Sequence, residues 1–169
     1  MSSVRRDEAL AALARLHAEV DAHASALTAL HGARLHCKRG CSSCCVDGIT
    51  VFTIEAERIR AHQAELLERG APHAPGACAF LDAQGACRVY ADRPYVCRTQ
   101  GLPLRWIDEE RSAELRDICP LNEAGDPIEQ LPEKSCWTLG ETEARLAELQ
   151  RALGAESERV ALRALFEHS

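Results

Sequence analysis

Nine cysteines in 169 residues constrain this chain more than any other feature. They stand at Cys37, Cys41, Cys44, Cys45, Cys78, Cys87, Cys97, Cys119 and Cys136. Disulfide scaffolds are usually short, secreted and even in cysteine number. This chain is longer and odd in number. Its first residues, Met1-Ser-Ser-Val-Arg-Arg-Asp-Glu, run into a charged helical pattern with no apolar signal core. The expectation is a cytoplasmic protein whose thiols stay reduced and are held by metal.

Composition bears on this through the core. Hydrophobic residues make up 46% of the chain, enough for a folded domain, but aromatic residues only 4%. A core of mostly Leu, Ala and Val lacks the large buried area that aromatic rings bring, and a metal cross-link would strengthen it. The formal net charge of −6 argues against a dedicated nucleic-acid partner. No apolar run is long enough to span a membrane. The expected partner is therefore a metal ion or cluster.

The periodicity predicts a mainly α fold with small β-hairpins: one domain over 1–169, with helices in 1–32 and 137–169 flanking a cysteine-rich metal-binding region, 33–136. Leu10, Leu13, Leu16, Val20, Ala24, Leu27 and Leu30 form one helical stripe between Val4 and His31, with His17, Glu19, Asp21 and His23 largely outside it. A second helix is expected over 53–69, capped by Thr53, with Glu55 and Glu57 in its first turn. Residues 78–90 read as a hairpin turning at Asp82-Ala-Gln-Gly85. Asp92 suits the cap of a short helical turn over 92–97. A further hairpin is expected over 102–118, an irregular stretch from Cys119 to Cys136, and closing helices over 139–153 and 156–167. Thr138-Leu-Gly-Glu141 has capping-box spacing.

Ligation by sulfur needs deprotonated, converging thiols and compensation of their charge. An otherwise acidic chain turns locally basic at its cysteines: Arg34, Lys38 and Arg39 by the first group, and Arg88, Arg93 and Arg98 by Cys87 and Cys97. Nearby cations favour thiolate, and Arg93 or Arg98 could donate hydrogen bonds to ligand sulfurs. The candidate ligands are Cys37, Cys41, Cys44, Cys45, Cys78, Cys87, Cys97 and Cys119. Cys136, beside Trp137, suits packing as well as ligation. Adjacent Cys44 and Cys45 are expected to face different directions, and nine cysteines could supply two four-ligand sites. Zinc favours paired C-x-x-C knuckles, of which Cys41-x-x-Cys44 is the one example. Wide spacings, adjacent cysteines and Cys119-Pro120 are comfortable in iron–sulfur proteins. The pattern leans towards an iron–sulfur cluster, [4Fe–4S], with zinc the alternative. The seven histidines default to solvated positions. Glu55, Asp82 and Asp92 have adequate local roles as helix-end charge, turn residue and cap.

Taken in order, Cys37-Lys-Arg-Gly-Cys-Ser-Ser-Cys-Cys45, Glu55 opening a helix, Cys78-Ala-Phe-Leu81, and Cys87-Arg-Val-Tyr-Ala-Asp-Arg-Pro-Tyr-Val-Cys-Arg98 resemble the YkgJ-type cysteine-cluster family. Its signature is CxxCxxCC, and it is described as zinc- or iron-chelating. The resemblance covers residues 36–105, or to 136 with the last two cysteines, and implies metal binding without an agreed reaction. This chain departs from the signature in placing three residues between Cys37 and Cys41. Flagellin lysine methylases, associated with an iron–sulfur cluster, have a similar cysteine pattern. The Cys37-x3-Cys41-x2-Cys44 spacing is also that of radical S-adenosylmethionine enzymes. No βα repeats follow it here, which argues against membership. Three functions follow as expectations: a structural or metal-handling thiolate site, an iron–sulfur enzyme of redox or methyl-transfer chemistry, and a thiol redox sensor.

Overall fold

The computed structural model describes residues 3–38, 40–154 and 158–167. Helix α1 spans Ser3–Leu30, about 42 Å at the α-helical rise. It exists because its apolar residues recur at helical spacing. Ala9, Leu13, Leu16, Val20, Ala24 and Leu27 are all buried along one face, which packs on α2, α4 and α5. His17 is a correction: it lies within the buried face, not outside it, and His31 is buried as well.

The second predicted helix is two helices, α2 Thr53–His62 and α3 Ala64–Arg69, broken at Gln63. The Gln63 side chain leaves the helix to donate to the Asp92 carboxylate at 2.7 Å. Thr53 does not cap α2. Phe52 occupies that position, and Glu55 accepts from its backbone N–H. Helix α4 is one turn, Tyr95–Arg98, entered through Pro94. Asp92 is not its cap; its carboxylate binds His62, Gln63 and Arg58 of the α2–α3 region.

Two small sheets complete the frame, and the chain is 48% helix against 12% strand, so mainly α. β1 (Thr50–Phe52) pairs antiparallel with β5 (Arg159–Ala161), Val51 opposite Val160. β2 (Leu104–Asp108) and β3 (Ala113–Asp117) form the expected hairpin, and β4 (Trp137–Thr138) joins β2 in parallel. The hairpin expected over 78–90 reduces to a single bridge between Leu81 and Cys87. Asp82 Oδ1 accepts from the backbone of Gln84 and Ala86, a tight turn with too little chain on either side for a ladder. Helix α5 spans Glu141–Ala152, and Glu143, not Thr138, supplies the cap by accepting from Gly140 N–H. The helix expected over 156–167 is absent among the described residues: strand β5 and a 3-10 turn, Leu162–Phe166, stand there.

Two cores result. One gathers the α1 face with Ile54, Tyr95, Leu102, Trp137, Leu146 and Leu153. The other gathers Val51, Ala56, Ile59, Phe80, Leu162 and Phe166, with Cys78 among them. Helix α2 serves both: Ile54 packs in the first, Ala56 and Ile59 in the second. The scarce aromatics are concentrated inside: Phe80, Phe166, Tyr95 and Trp137 are all buried. No helix among the described residues is long and apolar enough to cross a membrane.

Candidate metal centre

Four separate segments place five thiols near enough for their charges to act on one another. Cys44 and Cys45 lie on a turned loop, where Cys45 N–H donates to Ser42 C=O at 2.9 Å. Cys78 joins that loop directly, its N–H donating to Cys45 C=O at 2.8 Å. Cys87 faces Leu81 across the small bridge, three residues on from Cys78. Cys97 sits in α4. That turn is held from behind by Glu55, a buried carboxylate whose Oε1 accepts from Tyr95 N–H at 2.6 Å. All nine cysteines are free, and among these five only Cys78 is fully buried.

The thiols sense one another. Cys44 and Cys45 are coupled in their ionisation by a thiol-to-thiol hydrogen bond. That bond draws Cys44 down to about 6 and pushes Cys45 up, so the pair releases one proton readily and keeps the other. Burial pushes Cys97 up to about 12, reinforced by charge on Cys78, Cys87, Glu55 and Cys44. Burial likewise raises Cys78 and Cys87, while Arg88 opposes the rise at both, Arg163 at Cys78 and Arg93 at Cys87. Four thiols thus resist ionisation and one favours it. A cation at the centre is what would reverse that resistance.

The other cysteines are placed differently. Cys41 lies on a loop that meets the 82–87 turn, where a Cβ on Gly85 would stand 3.5 Å from both Gly40 O and Ser42 Oγ. Cys37 is exposed, and its sulfur accepts from Asn122 Nδ2 at 3.5 Å. Cys119 opens the turn that carries Asn122, its C=O accepting from Asn122 N–H at 2.7 Å. Cys136 is buried beside Arg116, whose Nη1 lies 3.8 Å from its sulfur. The charged groups acting on it are Arg116, Arg105, Glu114 and Arg34, with no other cysteine among them.

The basic residues divide as well. Arg93 stacks on Tyr90, 4.2 Å from its ring centre, within reach of Cys87. Arg98 turns away: its guanidinium binds Asp21 of α1 at 2.6 Å and Ala91 C=O. Arg34 is buried and binds the carbonyls of Glu123, Ala124 and Asp126. Arg39 lies outside the described residues. Pattern reading missed three residues that pack on these segments: Glu55, Asn122 and Gly101, where a Cβ would stand 2.5 Å from Cys37 Sγ. Glu55 was visible only as a helix-end acid, whereas Asn122 and Gly101 carry no signal in spacing or periodicity.

Donors dominated by thiol sulfur fit a thiophilic metal or an iron–sulfur cluster. Among the described residues, no three Cys, His, Asp or Glu side chains already stand in the geometry of a bound ion.

A family model matches residues 36–120, half of the chain, and spans eight of the nine cysteines. The chain belongs to the CxxCxxCC family. The family is described as a "putative zinc- or iron-chelating domain". In this CxxCxxCC protein the matched segment runs from the start of the first cysteine loop to the residue after Cys119. Neither a curated protein nor a solved structure matches the chain. Helix α1, Asn122 and β5 lie outside the matched segment.

Proposed function

We propose that this chain holds one metal centre, a [4Fe–4S] cluster or a zinc ion, on thiolates drawn from Cys44, Cys45, Cys78, Cys87 and Cys97. Either group takes four thiolates, and Cys37, Cys41 and Cys119 are the further candidates for a place in that set. The observation that carries this reading is the approach of thiol-bearing segments from different parts of the chain: Cys78 N–H donates to Cys45 C=O, Cys87 bridges Leu81, and Cys97 lies near enough to feel the charge of Cys78, Cys87 and Cys44. The fold acts as one domain around the centre, because β1 beside the first cysteine loop pairs with β5 near the far end of the chain. Arg93 and Arg88 moderate the negative charge of the bound thiolates. Reduced thiols in such number suit the cytoplasm.

Iron and zinc differ in what they would make of the protein. An iron–sulfur cluster supplies electron transfer or catalysis, whereas a closed zinc site supplies folding energy. The alternative reading is an iron–sulfur enzyme of redox or methyl-transfer chemistry.

Anaerobic purification, elemental analysis and a visible spectrum test the reading. Iron with acid-labile sulfide and broad absorption near ~400 nm marks a cluster; colourless protein with stoichiometric zinc marks the zinc form. Cys44→Ala or Cys97→Ala should abolish metal retention, while Cys136→Ala should leave it intact. Equal retention in all three, or metal-free wild-type protein that resists loading, overturns the proposal.

A further inference from the structure

Cys37 sits four residues before Cys41, one more than the family signature allows, and yet its sulfur has a built seat. Asn122 forms one wall and is fully buried, with 0% exposure. Its Oδ1 accepts from His36 N–H at 2.9 Å, Nδ2 donates to Gly101 C=O at 2.9 Å, and Nδ2 also reaches Cys37 Sγ at 3.5 Å. The two amide hydrogens are thus divided between a carbonyl and a thiol. Gly101 forms the floor, at φ +89, and a Cβ there would stand 2.5 Å from Cys37 Sγ and 3.1 Å from Asn122 Nδ2. No side chain fits at 101 while the sulfur occupies its place.

Resting on the metal-centre reading, we infer that Asn122 is a positioning residue for Cys37. Its amide presents the sulfur to the metal and donates an N–H···S bond to the ligated thiolate. A sulfur on an exposed loop with an extra residue would otherwise sample many rotamers, and ordering it on binding costs free energy. The buried amide removes that cost in advance. An N–H donor also stabilises the charge on a thiolate, the effect by which groups beyond the ligands tune metal sites. Asn122 itself lies beyond the matched segment, so this support is a property of the present chain's fold.

The test is a double-mutant cycle read with cobalt(II), titrated into reduced metal-free protein and followed by thiolate-to-cobalt absorption. Asn122→Asp keeps the acceptor for His36 N–H but loses both N–H donors at nearly constant volume. Cobalt affinity should fall roughly 10- to 100-fold and the absorption band should move. In a Cys37→Ala background the same substitution should change neither. An equal fall with and without Cys37 means that Asn122 only ties the backbone together, and overturns the inference. An unchanged affinity in the Cys37 background overturns it too. Circular dichroism checks the fold, and Asn122→Ser read in the same cycle replaces any variant that fails to fold. Wild-type protein that binds no cobalt overturns the metal-centre reading first, and this inference with it.

Discussion

At the scale of single residues, Glu55 explains how an α turn of four residues, the one that carries Cys97, is held in place. A helix this short is not stable by itself, and its first N–H groups need acceptors. Glu55 Oε1 takes the Tyr95 N–H and also lies 3.2 Å from His17 Nε2, while Oε2 takes Phe52 N–H. One buried carboxylate therefore ties α1, the start of α2 and the start of α4. Glu55→Ala leaves these donors without a partner and should cost about 3–5 kcal/mol of metal-free stability. Glu55→Gln keeps an oxygen for Tyr95 but turns an amide donor towards another N–H, and should cost about half as much. Urea unfolding measures both; an alanine variant as stable as wild type would remove Glu55 from this role. The acid was legible in the sequence as a helix-start charge, because an N-terminal preference is local. Its reach to residue 95 was not, because a contact across 40 residues leaves no periodic trace. Asn122 was hidden for the same reason.

At the scale of elements, local periodicity succeeded where one element faces one core. The α1 stripe and the β2–β3 hairpin follow from their own residues. The end of the chain shows the limit. Residues 156–167 carry Ala, Leu and Arg at helical spacing, but Val160 pairs with fully buried Val51 and Leu162 N–H donates to Ile49 C=O. Tertiary pairing overrides propensity there. Arg163 then fastens the segment to the cysteine loops. It binds both oxygens of Asp47, two residues past Cys45, and the carbonyls of His73 and Ala77 just before Cys78. Arg163→Ala should loosen residues 73–77 and speed proteolysis there, whereas Arg163→Lys restores the charge but not the fork. Cleavage mapping by mass spectrometry reads this, and equal rates in wild type and Arg163→Ala would count against the clamp. The Arg163 hydrogen bond, with backbone N–H bonds from Gly76 and Gly48, holds Asp47 down to about 2. A carboxylate with a depressed folded pKa adds stability that is complete above its unfolded value near ~4. That stability is lost as pH falls from about 4 through about 2. Asp47→Asn should therefore flatten the acid limb of the thermal stability profile across that window, and a profile parallel to wild type would deny the pairing a role.

At the scale of the whole molecule, the metal would work as a cross-link between the two cores. Cys78 packs in the core that contains Phe80 and Phe166, while Cys97 follows Tyr95 of the core built on α1. Its free energy of binding is then also free energy of folding. The thiol pKa values set how that coupling depends on pH. Near neutrality Cys44, at about 6, already offers a thiolate, whereas Cys78, Cys87 and Cys97 are held protonated, chiefly by burial. A centre of Cys44 and three protonated thiols releases about three protons when it forms. Its apparent affinity should rise roughly a thousandfold for each pH unit between 7 and 8, and more steeply still below pH 6, where Cys44 must give up its proton too. Acidification should therefore unload the metal well before the carboxylates titrate, and the thermal midpoint should fall with it. Competition against a chelator of known pH dependence measures the slope, and indicator dye in weak buffer counts the protons directly. A release near three fits a set of four thiols in which Cys44 alone is already ionised. A release near four would mean that Cys44 is not among the ligands, and would overturn its place in the centre.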